Sequence, residues 1–87
     1  MFEWDEANTG HIARHKITRE RAEQVIEDPD QVLVSRFVAE GEEYEAIVGA
    51  TAEGLLLFVV YTVRNDRIRI SSARRAIRRE RRLYTRR

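Results

Sequence analysis

Cysteine is absent from these 87 residues, which excludes a disulfide framework, a thiolate metal site and a cysteine nucleophile. Lysine is nearly absent: Lys16 stands alone, so 15 of the 16 basic residues are arginine. Proline occurs once, at Pro29, and glycine four times, leaving no segment that reads as a linker or low-complexity stretch. No long hydrophobic run is present either. The longest, Leu55 to Val60 extended by Tyr61, Thr62 and Val63, is far short of the ~20 residues that cross a bilayer. The opening Met1-Phe2-Glu3-Trp4-Asp5-Glu6 is acidic and lacks the basic region and apolar stretch of a signal peptide. These absences lead us to expect a soluble, cytoplasmic protein with no membrane association. A chain of this length buries only about 60 to 65% of its unfolded surface, so one domain is expected over residues 1–87.

What is present is a strongly polarised charge. Tyr61 to Arg87 hold 11 arginines against Asp66 and Glu80, a local balance of +9 in a chain whose total is +1. Residues 1–30 carry four bases and eight acids, and residues 31–60 one base and five acids, so each stretch nets −4. A basic end attracts a polyanion through long-range steering and counterion release. The preference for arginine narrows the class, because its planar fork grips phosphate in two-pronged fashion and stacks on bases. Nucleic acid is therefore the first expectation and an acidic protein the second, and the two are compatible.

The pattern of elements reads α-α-β-β-β-β-α. Trp4, Ala7, His11, Ile12 and His15 recur at helical spacing, predicting a helix from Asp5, its N-cap, to about Lys16. A second helix is expected after the cap residue Thr18, with Ala22, Val25 and Ile26 as its stripe, stopped by Asp28-Pro29-Asp30. Two strands follow, the first from Val32-Leu33-Val34 and Phe37-Val38, the second from Tyr44 to Thr51 beyond a turn at Gly41. Leu55 to Arg64 is apolar on both faces, as a central strand should be. Arg67 to Ala73 alternates, and Asn65-Asp66 reads as a two-residue hairpin loop because both residues tolerate positive φ. That loop sets Arg64 opposite Arg67, Val63 opposite Ile68 and Tyr61 opposite Ile70 on a core face. Thr62, Arg64, Arg67, Arg69 and Ser71 fall on the other. Arg74 and Arg75 are placed at a junction before a last helix from Ala76 to Tyr84, whose stripe is Ala73, Ala76, Ile77, Leu83 and Tyr84. The fold class is thus α+β: two N-terminal helices, a four-stranded antiparallel sheet and a C-terminal helix.

Few residues are equipped for chemistry. His11 and His15, four apart, share a helix face. They can be read as packed at the helix-sheet boundary, or one of them as an acid or base near neutrality. A metal would need further donors that the spacing does not supply, and neither metal nor cofactor is expected. Glu80 lies among Arg78, Arg79, Arg81 and Arg82, either as an ion pair that fixes the helix or as a carboxylate that accepts a proton or orients an arginine. Tyr84 either packs or aims its hydroxyl at a phosphate. The helical arginines, Arg86 and Arg87 included, divide between a solvated face and a binding surface. Arg64, Arg67 and Arg69 on one strand face repel one another unless an anion is near, so phosphate or an acidic partner is expected there.

Taken together, the segments carry a resemblance. Trp4 to Thr18 (W-D-E-A-N-T-G-H-I-A-R-H-K-I-T), Glu27-Asp28-Pro29, Val59 to Ala76 (V-V-Y-T-V-R-N-D-R-I-R-I-S-S-A-R-R-A) and Arg78 to Tyr84 (R-R-E-R-R-L-Y) are similar in order and spacing to the BrnT family of type II toxins. Lys16 departs from the family's usual glycine after the histidine, and Glu43 stands before Tyr44 where arginine is common. The resemblance implies a small cytoplasmic ribonuclease of RelE-like fold, needing no metal and inhibiting translation and growth. It also implies neutralisation by a BrnA-type antitoxin, through whose DNA-binding domain the complex meets the operator. Carried over by position, His15, Arg69, Arg74, Glu80 and Tyr84 are the expected catalytic residues. Contacts to RNA are expected from Arg64, Arg67, Arg75, Arg78, Arg79 and Arg82. In such a reaction the 2′-hydroxyl attacks the adjacent phosphate and leaves a cyclic phosphate, with His15 or Glu80 handling protons. A non-catalytic basic module for RNA or an acidic protein is the competing reading.

Overall fold

A computed structural model describes residues 1–86; Arg87, grouped above with the helical arginines, lies outside the described residues. Helix α1 (Glu6–Ala13) starts where Asp5 caps it: the Asp5 carboxylate accepts the Asn8 N–H at 3.1 Å and the Asn8 amide oxygen accepts the Asp5 N–H at 2.8 Å. It stops short of Lys16 because Arg14 to Lys16 form a turn in which Lys16 takes φ 62°. This left-handed conformation favours glycine, the residue the family resemblance expects there. Helix α2 (Arg19–Glu27) is capped by the Thr18 hydroxyl and ends at Asp28.

Four strands follow, β1 (Val32–Ala39), β2 (Glu42–Ala50), β3 (Leu56–Arg64) and β4 (Arg67–Arg75), in one antiparallel sheet of order β1-β2-β3-β4. The expected hairpin register is present: Arg64 faces Arg67, Val63 faces Ile68 and Tyr61 faces Ile70, across a turn with φ 53° at Asn65 and 63° at Asp66. A β-bulge then intervenes. Tyr61 pairs with Ile70 but Val60 with Ser72, so Ser71 is the extra residue, its hydroxyl donating to the Val60 carbonyl at 3.3 Å. β4 also runs two residues past the expected end, so Arg74 and Arg75 belong to the strand. Beyond it the chain start adds a short parallel bridge, Phe2 to Ile68.

The inner face of the sheet carries α1 on β4 and α2 on β2 and β3. Ile12, Ile17, Ala22, Val25, Ile47, Leu57, Val59, Ile70 and Ala73 form the buried cluster there. Gly49 lets α2 approach, since a Cβ on it would stand 2.9 Å from Val25 Cγ1 and 3.1 Å from the Val25 carbonyl. α1 buries Asn8 and Ile12, whereas His11 and His15 are exposed, so neither histidine packs at the helix-sheet boundary. The Asn8 amide donates to the carbonyls of Ile70 at 2.9 Å and Glu3 at 3.0 Å, pinning α1 to β4.

Helix α3 (Arg78–Thr85) lies on the outer face across β1 and β2, over the buried Ala46 and Val48. Only part of the expected stripe is buried: Ala73 and Ala76 are, though they precede the helix, and Tyr84 is half-buried. Ile77 and Leu83 are 45% and 40% exposed, while Glu80 is buried. Nor is the far end of the inner face core, because the helices do not reach it and Val63 is 62% exposed.

Candidate functional site

The outer face of β3 and β4 holds the arginines. Facing pairs Thr62–Arg69 and Phe58–Arg74 put Arg69 and Arg74 on the same side despite their odd separation in sequence, because the bulge at Ser71 shifts the alternation by one. At about 3.3 Å per residue, their Cα positions lie about 13 Å apart along the strand. Val60 and Ser72 sit between them.

Arg64, Arg69 and Arg74 each already meet a carboxylate. Arg64 donates to both oxygens of Glu42, at 3.2 and 2.7 Å, with Glu3 at 3.9 Å. Arg69 reaches Asp5 at 2.9 Å and Glu3 at 3.6 Å. The side-chain hydrogen bond from Arg69 holds the Asp5 carboxyl below the usual range, and that from Arg64 does the same for Glu42. The repulsion expected among Arg64, Arg67 and Arg69 is thus relieved from within the chain, by acids at its start and in β2. Among the described residues Arg67 has no ion pair.

Arg74 forms the most ordered unit. Its guanidinium donates to both Glu80 oxygens, at 2.9 and 2.8 Å, and lies 4.3 Å over the centre of the Phe58 ring. Glu80 also accepts the Ile77 N–H at 2.9 Å, closing the start of α3. Burial pushes the Glu80 carboxyl up, but the Arg74 and Ile77 hydrogen bonds more than offset it, leaving the pKa below the ordinary value. The partner that stabilises Glu80 is therefore a strand arginine, not the helical neighbours expected from sequence.

The other expected residues lie elsewhere. Tyr84 donates its hydroxyl to Asp28 at 2.7 Å, and the same carboxylate oxygen accepts the Ala50 N–H at 2.8 Å, which ties α3 to the end of α2 and to β2. His15 follows α1 at the inner face; its ring meets His11 edge-on at 6.1 Å, and no hydrogen bond joins it to Arg69, Arg74 or Glu80. Among the described residues no third ligating side chain gathers with the two histidines. Arg75, Arg78, Arg79 and Arg82 are exposed.

An aromatic pair was missed in the sequence. Phe37 and Tyr44 face each other across β1 and β2 on the outer side and stack at 5.3 Å with 11° between rings. Phe37 is 43% exposed. Their facing positions could have been read from a two-strand register around Gly41, had that turn been fixed as tightly as the one at Asn65-Asp66.

A small antiparallel sheet with α1 and α2 on its inner face, and with α3, spaced arginines and a stacked aromatic pair on its outer face, defines an α+β domain. Residues 4–80 match the family described as the ribonuclease toxin, BrnT, of a type II toxin-antitoxin system. The chain belongs to that family, and with it to the ribonuclease toxins whose partner is an antitoxin. No curated protein matches the sequence.

Proposed function

We propose that the outer face of β3 and β4 is where this chain cleaves RNA, without a metal, by letting the 2′-hydroxyl attack the neighbouring phosphorus. The P–O2′ bond forms and the P–O5′ bond breaks. One proton leaves the 2′-oxygen, one arrives at the 5′-oxygen, and the products are a 2′,3′-cyclic phosphate and a 5′-hydroxyl. The observation that carries this reading is the placement of Arg69 and Arg74 on one face, about 13 Å apart along the strand. They stabilise the charge that builds on its oxygens as phosphorus becomes five-coordinate.

Glu80 acts as a positioning carboxylate for Arg74. A carboxyl held below its ordinary pKa is a weak base at neutral pH, so we give it no proton to move. Arg64 and Arg67 continue the track of positive charge, Phe37 and Tyr44 stack a base, and the exposed Arg75, Arg78, Arg79 and Arg82 steer the strand inward. RNA binding displaces Asp5 and Glu3 from Arg69. Neutralisation by a BrnA-type antitoxin, operator contact through that antitoxin, and action in the cytoplasm complete the proposal.

The test is cleavage of a single-stranded RNA by purified protein in excess EDTA, with the product ends identified, beside growth arrest on induction without antitoxin. Arg69→Ala and Arg74→Ala should each slow cleavage by about 10²- to 10³-fold. A wild-type protein that binds RNA but leaves it intact would establish a binding module in place of the enzyme.

A further inference from the structure

The inner face ends in a surface that the ribonuclease reading does not use. α1 covers β4, and α2 covers β2 and β3 around Gly49, which leaves the turn ends of β1, β2 and β3 without a helix. A cavity of about 540 Å³ opens there, lined by Gly41, Glu42, Glu43, Glu45, Tyr61, Thr62 and Val63. A second of about 240 Å³ adjoins it through Glu43 and Glu45 and reaches Arg36 and Val38. Together they make a groove running across three strands.

Its floor is apolar and its charge is negative. Val38 is 70% exposed and Val63 62%, more than Leu33, Ile77 or Leu83. Glu43 is exposed, and among the described residues it has no ion pair. Glu45 is held between the Tyr61 hydroxyl at 2.5 Å and Arg36 at 2.8 Å. β1 is moreover the edge of the sheet, and its outward N–H and C=O groups are open to a further strand.

We propose that this groove is a docking site for a cationic segment of the antitoxin, one that carries aliphatic side chains for Val38 and Val63 and arginine or lysine for Glu43. The proposal rests on the toxin reading above and names where its partner binds. RNA does not fit, because the carboxylates repel phosphate. A symmetric contact with a second copy would set Glu43 and its acidic neighbours against themselves, whereas a basic segment meets opposite charge at Glu43. Docking here leaves the arginine face on the other side of the sheet free of this segment. Affinity for the antitoxin is thereby separable from catalysis.

The experiment compares the full chain with Glu43→Lys, Val63→Asn and the double variant, each titrated with the purified cognate antitoxin and assayed for RNA cleavage alone. Both positions are exposed, so circular dichroism and urea midpoints should match the wild type. The expected result is a loss of antitoxin affinity of about tenfold for each single variant and more for the double, with cleavage within about twofold of wild type. Unchanged affinity in the double variant, with affinity lost instead on replacing Arg78, Arg79 and Arg82, overturns the proposal. So does concentration-dependent self-association of the free chain that Glu43→Lys abolishes, since the occupant would then be a second copy. A wild type that cleaves RNA but binds no antitoxin overturns this inference alone, whereas one that does neither overturns the toxin reading beneath it.

Discussion

Replacing Glu80 by alanine probes the joint between sheet and C-terminal helix. The carboxylate accepts two hydrogen bonds from Arg74 and one from the Ile77 N–H, at 2.8 to 2.9 Å. Losing the acceptor at a helix start costs about 0.5 to 2 kcal/mol. Removing one partner of a fully buried ion pair costs about 3 to 5 kcal/mol, but the Arg74 side chain is 33% exposed and rehydrates when released. Relief of the burial of Glu80 offsets more. The net expectation is about 2 kcal/mol for Glu80→Ala, a fall in Tm of roughly 8 to 16 °C in a domain of this size. Glu80→Gln keeps an acceptor for Ile77 and should cost about half as much. Urea unfolding with matched m-values measures both. If alanine costs under about 0.5 kcal/mol, or glutamine costs as much as alanine, the joint does not work as described. The pH dependence has a fixed sign. The folded-state pKa of Glu80 is lowered, so its contribution is complete above the ordinary carboxylate value and is lost as pH falls through the folded one. The gap between wild type and Glu80→Ala should therefore narrow in acid.

Four further outcomes test other parts of the molecule. Gly49→Ala should destabilise by about 1 to 3 kcal/mol in urea unfolding, because its Cβ would press on Val25 in both side chain and backbone. Lys16→Gly should stabilise by up to about 1 kcal/mol by releasing a left-handed lysine, and a loss on the same scale would refute the strain. Tyr61, pushed up to about 12 by burial and by the Glu45 carboxylate, should show a late phenolate transition by absorbance. That transition should move down in Glu45→Gln, and the stability Tyr61 contributes should persist below pH 10 and fade as pH rises through 12. Asp5→Asn retains a capping side chain but removes the charge opposite Arg69, so RNA affinity at low salt should rise; an unchanged value would mean that RNA does not compete with Asp5.

The readable parts of this fold were those that a few neighbouring residues decide. Asp5 and Thr18 as caps, the Asp28-Pro29 stop and the Asn65-Asp66 turn depend on φ preferences and short hydrogen bonds, and from the turn alone three facing pairs followed. Partners distant in sequence were not legible. Nothing near Arg69 announces that Asp5 and Glu3 neutralise it, since they arrive only through the bridge from Phe2 to Ile68. The same holds for Arg74 and Glu80, because a strand was required where a junction was expected. Helical periodicity also misjudged part of α3: Leu83 faces water, while its one acid is buried against an arginine from another element. Of the candidate site, Arg64, Arg69, Arg74 and Glu80 gather on the outer face, whereas Tyr84 is engaged with Asp28 and His15 remains with His11.

Ser71 gives the outer face a constraint that residue identity does not express. Were Ser71 instead paired regularly, with no bulge, the alternation would run on unbroken and everything after it would change sides. Arg74 would turn toward the inner face while Ala73 turned outward, with no arginine altered. Loss of Ser71 would keep Ser72, Ala73 and Arg74 on their present sides, because Ile70 and Ser72 would then alternate directly. The arginine face is held by one irregularity in the pairing of a strand as much as by the arginines themselves.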